Sequence, residues 1–337
     1  MRGLDLNQGP SGYEPDELPD CSTPRNYFIV IYIEKYYVKL IIIMKKYIVV
    51  TGGAGFIGSN LIELLIEKTS LNIISYDNYF SGSTKNHLKK NVIYINGDTK
   101  DIEKKLSKFK KKIHTIFHFG EFSRIYQSFI KINDCFDSNI VGTREVLKFC
   151  LNNKIKVVYS ATSASIGRGG KDENLSPYAW SKATNIRQII NLHKWFGLKY
   201  EIIYFYNVYG PRQILSGHMA AVIGIFEDCF KKKKNIPIVY PGTQKRKFTH
   251  VKDTVEACFY DWKKNLNGHY AVYNERSYSI LQIASFFGLK SFFVPSRPGE
   301  RFKSKIQKCY LGKKIVSIKA KIEISDYIKE FLRTNSI

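Results

Sequence analysis

Cysteine is sparse in this chain, 6 of 337 residues, and no two stand as a Cys-x-x-Cys pair, so neither a zinc ribbon nor a redox dithiol is indicated. With 10 Pro and 23 Gly, collagen-like and mucin-like classes are excluded. Internal repeats and low-complexity blocks are also missing. The apolar run over 27–43 is interrupted by Glu34, Lys35 and Lys39, and it is short of the roughly 20 residues a bilayer needs. A long acidic leader without a small-residue cleavage site argues against a signal peptide. Acidic residues are few, 29 against 53 basic ones, giving a formal net charge of +24. That excess is mostly lysine dispersed among Ile, Asn, Tyr and Phe, the mixture an A/T-rich coding bias produces. The densest block, Lys231–Lys234, reads as a helix end, where cations suit the dipole. Nucleic acid and membrane are therefore not expected as partners. Scattered thiols fit a reduced, cytoplasmic protein.

What is present suffices for a core: 44% hydrophobic and 14% aromatic residues. Four prolines fall in 1–25, which has no period and is expected to be disordered. Residues 1–43 read as an extension outside the fold, with Met44 as the native start. From residue 46 apolar β-branched runs alternate with amphipathic stretches. Strands are expected at Tyr47–Val50, Asn72–Tyr76, Val92–Ile95, Thr115–Phe119, Val157–Ser160 and Ile202–Tyr206. Helices are expected over Gly55–Lys68, Asp137–Asn152 and Pro177–Phe196. Such apolar strands are buried on both faces, which predicts an α/β fold: a doubly wound parallel sheet with a smaller C-terminal substrate-binding region. The expected division is 44–206 for a dinucleotide-binding Rossmann domain and 207–337 for a mostly substrate-binding region, some of whose elements return to the first.

The first strand runs into Thr51-Gly52-Gly53-Ala54-Gly55-Phe56-Ile57-Gly58 and then a helix. Glycines there allow a tight turn and close approach to a pyrophosphate, and the helix N-terminus offers free N–H groups. Gly52, Gly55, Phe56, Ile57 and Gly58 are thus candidate cofactor contacts. Asp77 ends the second strand about twenty residues on, where a carboxylate accepts from both ribose hydroxyls and disfavours a 2′-phosphate, selecting NAD. A plain turn is its competing reading, as it is for Asp98, which could otherwise hold the adenine amino group. Tyr178-Ala179-Trp180-Ser181-Lys182 places a phenol and an ammonium four residues apart on one helix face. An ammonium stabilises phenolate, which suits Tyr178 to act as a base toward a sugar hydroxyl.

These residues resemble the extended short-chain dehydrogenase/reductase family, in particular its nucleotide-sugar epimerase branch typified by UDP-glucose 4-epimerase. The likeness spans nearly all of 46–330. Asp77-Asn78 with Ser81-Gly82 is similar to the family's ribose and phosphate loop, and Asn139-Ile140-Val141-Gly142-Thr143 to its Asn-x-x-Gly-Thr helix. Ser160–Gly167 resembles the Ser-rich strand end, with Thr162 at the catalytic Ser/Thr position. Asn207-Val208-Tyr209-Gly210-Pro211-Arg212 is close to the consensus, and the resemblance implies that Asn207 contacts the sugar diphosphate. Arg246, before Lys247-Phe248, and Arg297, in Arg297-Pro298-Gly299-Glu300, are implied to clamp that diphosphate, a task that suits guanidinium forks. A homodimer packed through 137–152 and 178–196 is implied as well.

Two departures stand out. Family dehydratases place Asp-Glu after the catalytic Thr and decarboxylases keep a Glu, whereas this chain has Ser163-Ala164. Epimerisation is therefore favoured, with C4 the expected carbon. His118-Phe119-Gly120-Glu121 stands where the family has His-x-Ala-Ala. Glu121 is expected near the nicotinamide and sugar, to recognise a sugar substituent, to act as an acid/base, or to pair with Arg124 or Lys131. The rival readings are a one-way dehydratase or oxidoreductase on a nucleotide sugar, and a non-catalytic NAD sensor; the second is disfavoured because Tyr178 and Lys182 are both kept.

Overall fold

The computed structural model describes residues 47–88, 91–301 and 306–335. The expectations for 1–43 lie outside these residues. Nine strands form one sheet: β1 (Tyr47–Thr51), β2 (Asn72–Asp77), β3 (Val92–Asn96), β4 (Ile113–His118), β5 (Lys156–Thr162), β6 (Tyr200–Phe205), and, later in the chain, β11 (His269–Tyr273), β14 (Cys309–Tyr310) and β15 (Lys313–Lys319). Their order is β14-β15-β11-β6-β5-β4-β1-β2-β3, and every pairing is parallel except β14 with β15. The order reverses beside β1: chain order runs outward through β2 and β3 on one side and β4, β5 and β6 on the other. A crevice opens at the carboxyl ends of strands at such a switch point, and the ligand site lies there.

Alternation along each strand sends side chains to both faces. Val49 packs with Val146, Leu147, Ile186 and Ile189, so the helices Thr143–Asn152 and Pro177–Phe196 cover one face. Ile48 and Val50 pack with Leu61, Leu65, Val255 and Phe259, and the helices Phe56–Lys68 and Val251–Lys264 cover the other. Each such aliphatic side chain contributes about 1.5–3 kcal/mol on full burial. An ion pair crosses between β5 and β6: Lys156 Nζ lies 2.8 Å from Glu201 Oε1, with both side chains buried.

Residues beyond 206 supply both the far strands of the sheet and a second apolar cluster. Around Phe226, Ile236, Phe248, Ile283 and Ile328 pack the helices Val222–Lys231, Ile280–Phe286 and Ile324–Asn335. Short pairs complete this part: β7 (Val208–Tyr209) with β10 (Thr249–His250), β9 (Lys245–Arg246) with β12 (Tyr278–Ser279), and β8 (Ile236–Val239) with β13 (Ser291–Val294).

The helix carrying Tyr178 begins as its sequence specifies. Ser176 Oγ accepts from Ala179 N at 3.1 Å, Pro177 fills the first turn, and Gly197 ends the helix at φ 71. The stretch expected as one helix over Asp137–Asn152 differs. Asp137–Gly142 is a π-helical turn, followed by an α-helix over Thr143–Asn152. Two constraints lie there. Asn139 is pinned by Phe122 and Ser181, and a Cβ on Gly142 would meet Thr99 Oγ1 at 2.1 Å. Hydrogen-bond periodicity, unlike apolar periodicity, leaves no mark in the sequence.

Candidate active site

Thr51 closes β1 and organises the crevice floor. Its Oγ1 accepts the N–H groups of Phe119 (3.1 Å) and Gly120 (3.0 Å) and bonds His118 Nδ1 at 2.8 Å. His118 Nε2 reaches Thr143 Oγ1 at 2.9 Å, so a buried imidazole ties β1, β4 and the helix Thr143–Asn152 together. Burial pushes its pKa down to about 4, and it stays neutral.

The glycine turn follows at once. Gly52 has φ +68, and a Cβ on it would lie 2.8 Å from Phe119 O. A Cβ on Gly58 would lie 2.1 Å from Gly52 O. The backbone is therefore closed on itself at a distance only glycine allows, and Gly55 before the helix has no side-chain cap. Those free N–H groups, with Phe56 and Ile57, line the crevice. Asp77 is buried at the end of β2. Its Oδ2 accepts from Ala54 N at 2.9 Å and its Oδ1 from Tyr79 N at 2.7 Å, and burial raises its pKa against those bonds. The Gly55 N–H also bonds the carboxylate, which keeps acceptor capacity for a ribose hydroxyl. Asp98 both lines the crevice and caps a turn, accepting from Lys100 N at 3.0 Å and Asn78 Nδ2 at 3.1 Å. Asp98 is thus a turn residue that also faces the crevice. An uncapped helix N-terminus, a cradle without Cβ atoms and a carboxylate about twenty residues on fit NAD.

Thr162, Tyr178 and Lys182 all line the same crevice, a cleft of about 630 Å³. Thr162 ends β5 and its Oγ1 accepts from Ala164 N at 3.2 Å. Tyr178 is almost fully buried, 8% exposed. Lys182 Nζ donates to Glu121 Oε2 and to Ser160 O, and sits 4.6 Å over the Tyr159 ring.

That placement of Glu121 corrects the sequence expectation. It pairs with neither Arg124 nor Lys131; Lys131 lies 3.8 Å from Asp134 instead. The Glu121 side chain is 1% exposed and, while lining the cleft, sits in a ring of donors. Besides Lys182 it accepts from Tyr159 OH (3.0 Å), Asn185 Nδ2 (3.0 Å) and Thr143 Oγ1 (3.1 Å). A buried carboxylate requires such compensation. Tyr159, Asn185 and Thr143 were not singled out as site residues. One signal existed: Asn185 follows Lys182 by three on the same helix face.

Asn207, Arg246 and Arg297 line the cleft's other part. Asn207 adopts φ 39, and its Nδ2 donates to Lys247 O at 2.8 Å. Arg246 lies 3.2 Å from Glu300 Oε2, and burial lowers its pKa to about 10. Arg297 stacks 5.0 Å from the Tyr126 ring. Lys247 turns from the cleft to the carbonyls of Asn274 and Glu275, which leaves Arg246 facing it. Sequence reasoning missed Arg301, whose guanidinium donates to Ser163 O at 2.9 Å and lies 3.5 Å from Asp172. No cluster of potential metal ligands occurs among the described residues.

Comparison with known proteins agrees with this geometry. Residues 48–274 match the model of the NAD dependent epimerase/dehydratase family. A Methanocaldococcus jannaschii protein, provisionally named a UDP-glucose 4-epimerase, is 32% identical over 65% of this chain and 75% of its own length. The UDP-N-acetyl-alpha-D-glucosaminuronate decarboxylase of Bacillus cytotoxicus is 30% identical over 67% of this chain and 74% of its own. Among solved structures, the UDP-N-acetylglucosamine 4-epimerase of Methanobrevibacter ruminantium, in complex with UDP-N-acetylmuramic acid, superposes with a TM-score of 0.74. It is 27% identical, with 86% of this chain and 97% of that one covered. The glycine cradle, the carboxylate after β2, and a family match running from β1 into β11 lead to one conclusion: this chain belongs to the NAD-dependent epimerase/dehydratase family.

Proposed function

We propose that the chain is an epimerase of a nucleotide-diphospho-sugar, inverting C4 through a transient keto-sugar. One observation carries this reading: Thr162 shares a cleft with Tyr178 and Lys182, and the residues directly after it are Ser163 and Ala164. In the family that this chain resembles, dehydratases and decarboxylases carry a carboxyl group at that place, suited to acid–base work. The two glutamates lining the cleft are engaged, Glu121 by Lys182 and Glu300 by Arg246. Relatives named for UDP-sugars support the substrate class.

When bound, NAD supplies a hydride acceptor and donor, so the net redox change is zero. Tyr178 takes the proton from the sugar hydroxyl and returns it. Thr162 donates a hydrogen bond to the same oxygen. Lys182 keeps a positive charge beside the phenol and meets the nicotinamide ribose. Asp77 accepts from the adenosine ribose, Asn78 and Asp98 bound the adenine end, and the N–H groups around Gly52–Gly58 meet the pyrophosphate. Asn207, Arg246 and Arg297 hold the substrate diphosphate while the sugar turns over. A homodimer through the helices over 137–152 and 177–196 accounts for Trp180, 41% exposed on the second of them. Sedimentation tests it. No helix among the described residues is long and apolar enough to cross a membrane, and we place the enzyme in the cytoplasm.

The test incubates the NAD-loaded chain with UDP-, GDP-, CDP-, ADP- and dTDP-sugars and resolves stereoisomers by chromatography. Epimer formation without net NADH supports the reading; net NADH or a dehydrated product overturns it. Tyr178→Phe is expected to abolish turnover while NAD stays bound, and substantial residual activity would remove Tyr178 from its role.

A further inference from the structure

The cleft's cations can be matched to partners one by one. Lys100 has Asp137, Lys182 has Glu121, and Arg246 has Glu300. Arg301 leans on Asp172, which Arg168 also holds at 2.6 Å. Arg297 lies over Tyr126, and a substrate diphosphate would engage it together with Arg246. Arg124 is different. It lines the cleft and reaches only carbonyls, Nε donating to Met219 O at 2.7 Å and one terminal nitrogen to Ser123 O at 2.9 Å. No carboxylate pairs with it among the described residues. A guanidinium has five N–H donors, so this clamp fixes the group and leaves three for a ligand.

Its position says which part of a ligand it would meet. Met219, whose carbonyl holds Arg124, packs on the cluster that contains Tyr178, and Arg301 donates to Ser163 O, directly after Thr162. Two guanidinium groups thus lie near the group assigned to the reacting hydroxyl, and one of them has no counter-charge. Burial lowers the pKa of Arg124, the cost of keeping a cation there without an acid. A neutral hexose would leave that cost uncompensated.

We propose that the sugar handled by this chain carries a carboxylate, making the substrate a nucleotide-diphospho-hexuronate, and that Arg124 recognises it. This inference rests on the epimerase reading for the place of the sugar, beside Tyr178. A planar carboxylate matches the fork of a guanidinium bidentately, which a hydroxymethyl group cannot do. Arg301 adds field from the other side, with its own charge already shared with Asp172.

The experiment uses the NAD-loaded full chain and two probes differing only at the sugar's terminal carbon, UDP-glucuronic acid and UDP-glucose, with UDP alone as a third. If the sugar panel selects another base, the same pair is used with that base. Affinities come from titration calorimetry, for the original chain and for Arg124→Gln and Arg124→Lys. The uronate is expected to bind about tenfold or more tighter than the hexose. Arg124→Gln is expected to weaken the uronate about 10–100-fold more than it weakens the hexose, from the loss of charged hydrogen bonds. Arg124→Lys keeps the charge without the fork and should fall between; it also stands in if the Gln variant does not fold. Equal weakening of all three probes, UDP included, would assign Arg124 to the diphosphate and overturn the proposal. A loss confined to turnover, equal for both sugars, would make it a partner of Tyr178 and overturn it as well. Preference for the hexose in the original chain sinks the proposal while leaving the epimerase reading intact. Uronate binding that depends on Arg124, without epimer formation, does the reverse.

Discussion

Glu121 and Lys182 invite a quantitative test that needs neither substrate nor turnover. The carboxylate has four donors and the ammonium three acceptors, Glu121 itself and the carbonyl and hydroxyl oxygens of Ser160. Glu121→Ala leaves a buried ammonium with only the carbonyl and hydroxyl of Ser160, and takes one acceptor from each of Tyr159 OH, Asn185 Nδ2 and Thr143 Oγ1, of which Asn185 keeps Asn139 O. Removing one member of a buried ion pair costs about 3–5 kcal/mol. Lys182→Met leaves the carboxylate with its three neutral donors, so its cost should be smaller. Once either member is gone, removing the other takes away an uncompensated charge. The double variant should therefore be more stable than the sum of the single losses implies, with a coupling of about 1–3 kcal/mol. Glu121→Gln is not a full rescue, because it removes the charge that offsets Lys182 and turns its amide NH2 toward either Lys182 Nζ or Asn185 Nδ2, which can only donate. The assay is urea unfolding of the cofactor-free protein, followed by far-ultraviolet circular dichroism, for all four members of the cycle. Additivity within about 0.5 kcal/mol would mean that the pair does not exist as described.

Two further outcomes follow from buried groups. His118 and His269 both have pKa values lowered by burial from 6.5 to about 4. Between those values the unfolded chain binds more protons, so their stabilisation is full above pH 6.5 and is lost as pH falls to about 4, at most about 3 kcal/mol each. Urea midpoints between pH 7 and pH 4 should show this fall, and His118→Gln should flatten it by about one proton. Gly58→Ala would place a Cβ 2.1 Å from Gly52 O, a backbone atom that cannot swing aside. Relief requires opening the cradle, so NAD should be lost on gel filtration and stability should drop by about 1–3 kcal/mol or more; retention of NAD would show the turn to be looser than described.

Much of this was legible in the sequence for a physical reason. The glycine cradle, Asp77, and the placing of Tyr178 and Lys182 along one cleft are each set by residues close along the chain, where spacing determines geometry. The helix Pro177–Phe196 was readable to the residue because Ser176, Pro177 and Gly197 mark its ends. The partner of Glu121 was not readable. It is 61 residues away from Lys182 and 64 from Asn185, and their meeting depends on how β4, β5 and two helices pack. For the same reason Arg246 could be placed at the cleft but Glu300, 54 residues later, could not be named as its partner. The π-helical turn was hidden because Asp137–Asn152 carries the same apolar period in either form.

The return of late strands to the sheet has its own consequence. β11 lies against β6, and β15 against β11, so the segment after residue 206 is woven into the layer that carries the cradle. A fragment ending at Phe205 would carry a bare flank along β6, its N–H and C=O groups ready to recruit another chain. Cutting this protein at the apparent seam between its halves should therefore yield aggregates rather than a free-standing dinucleotide binder.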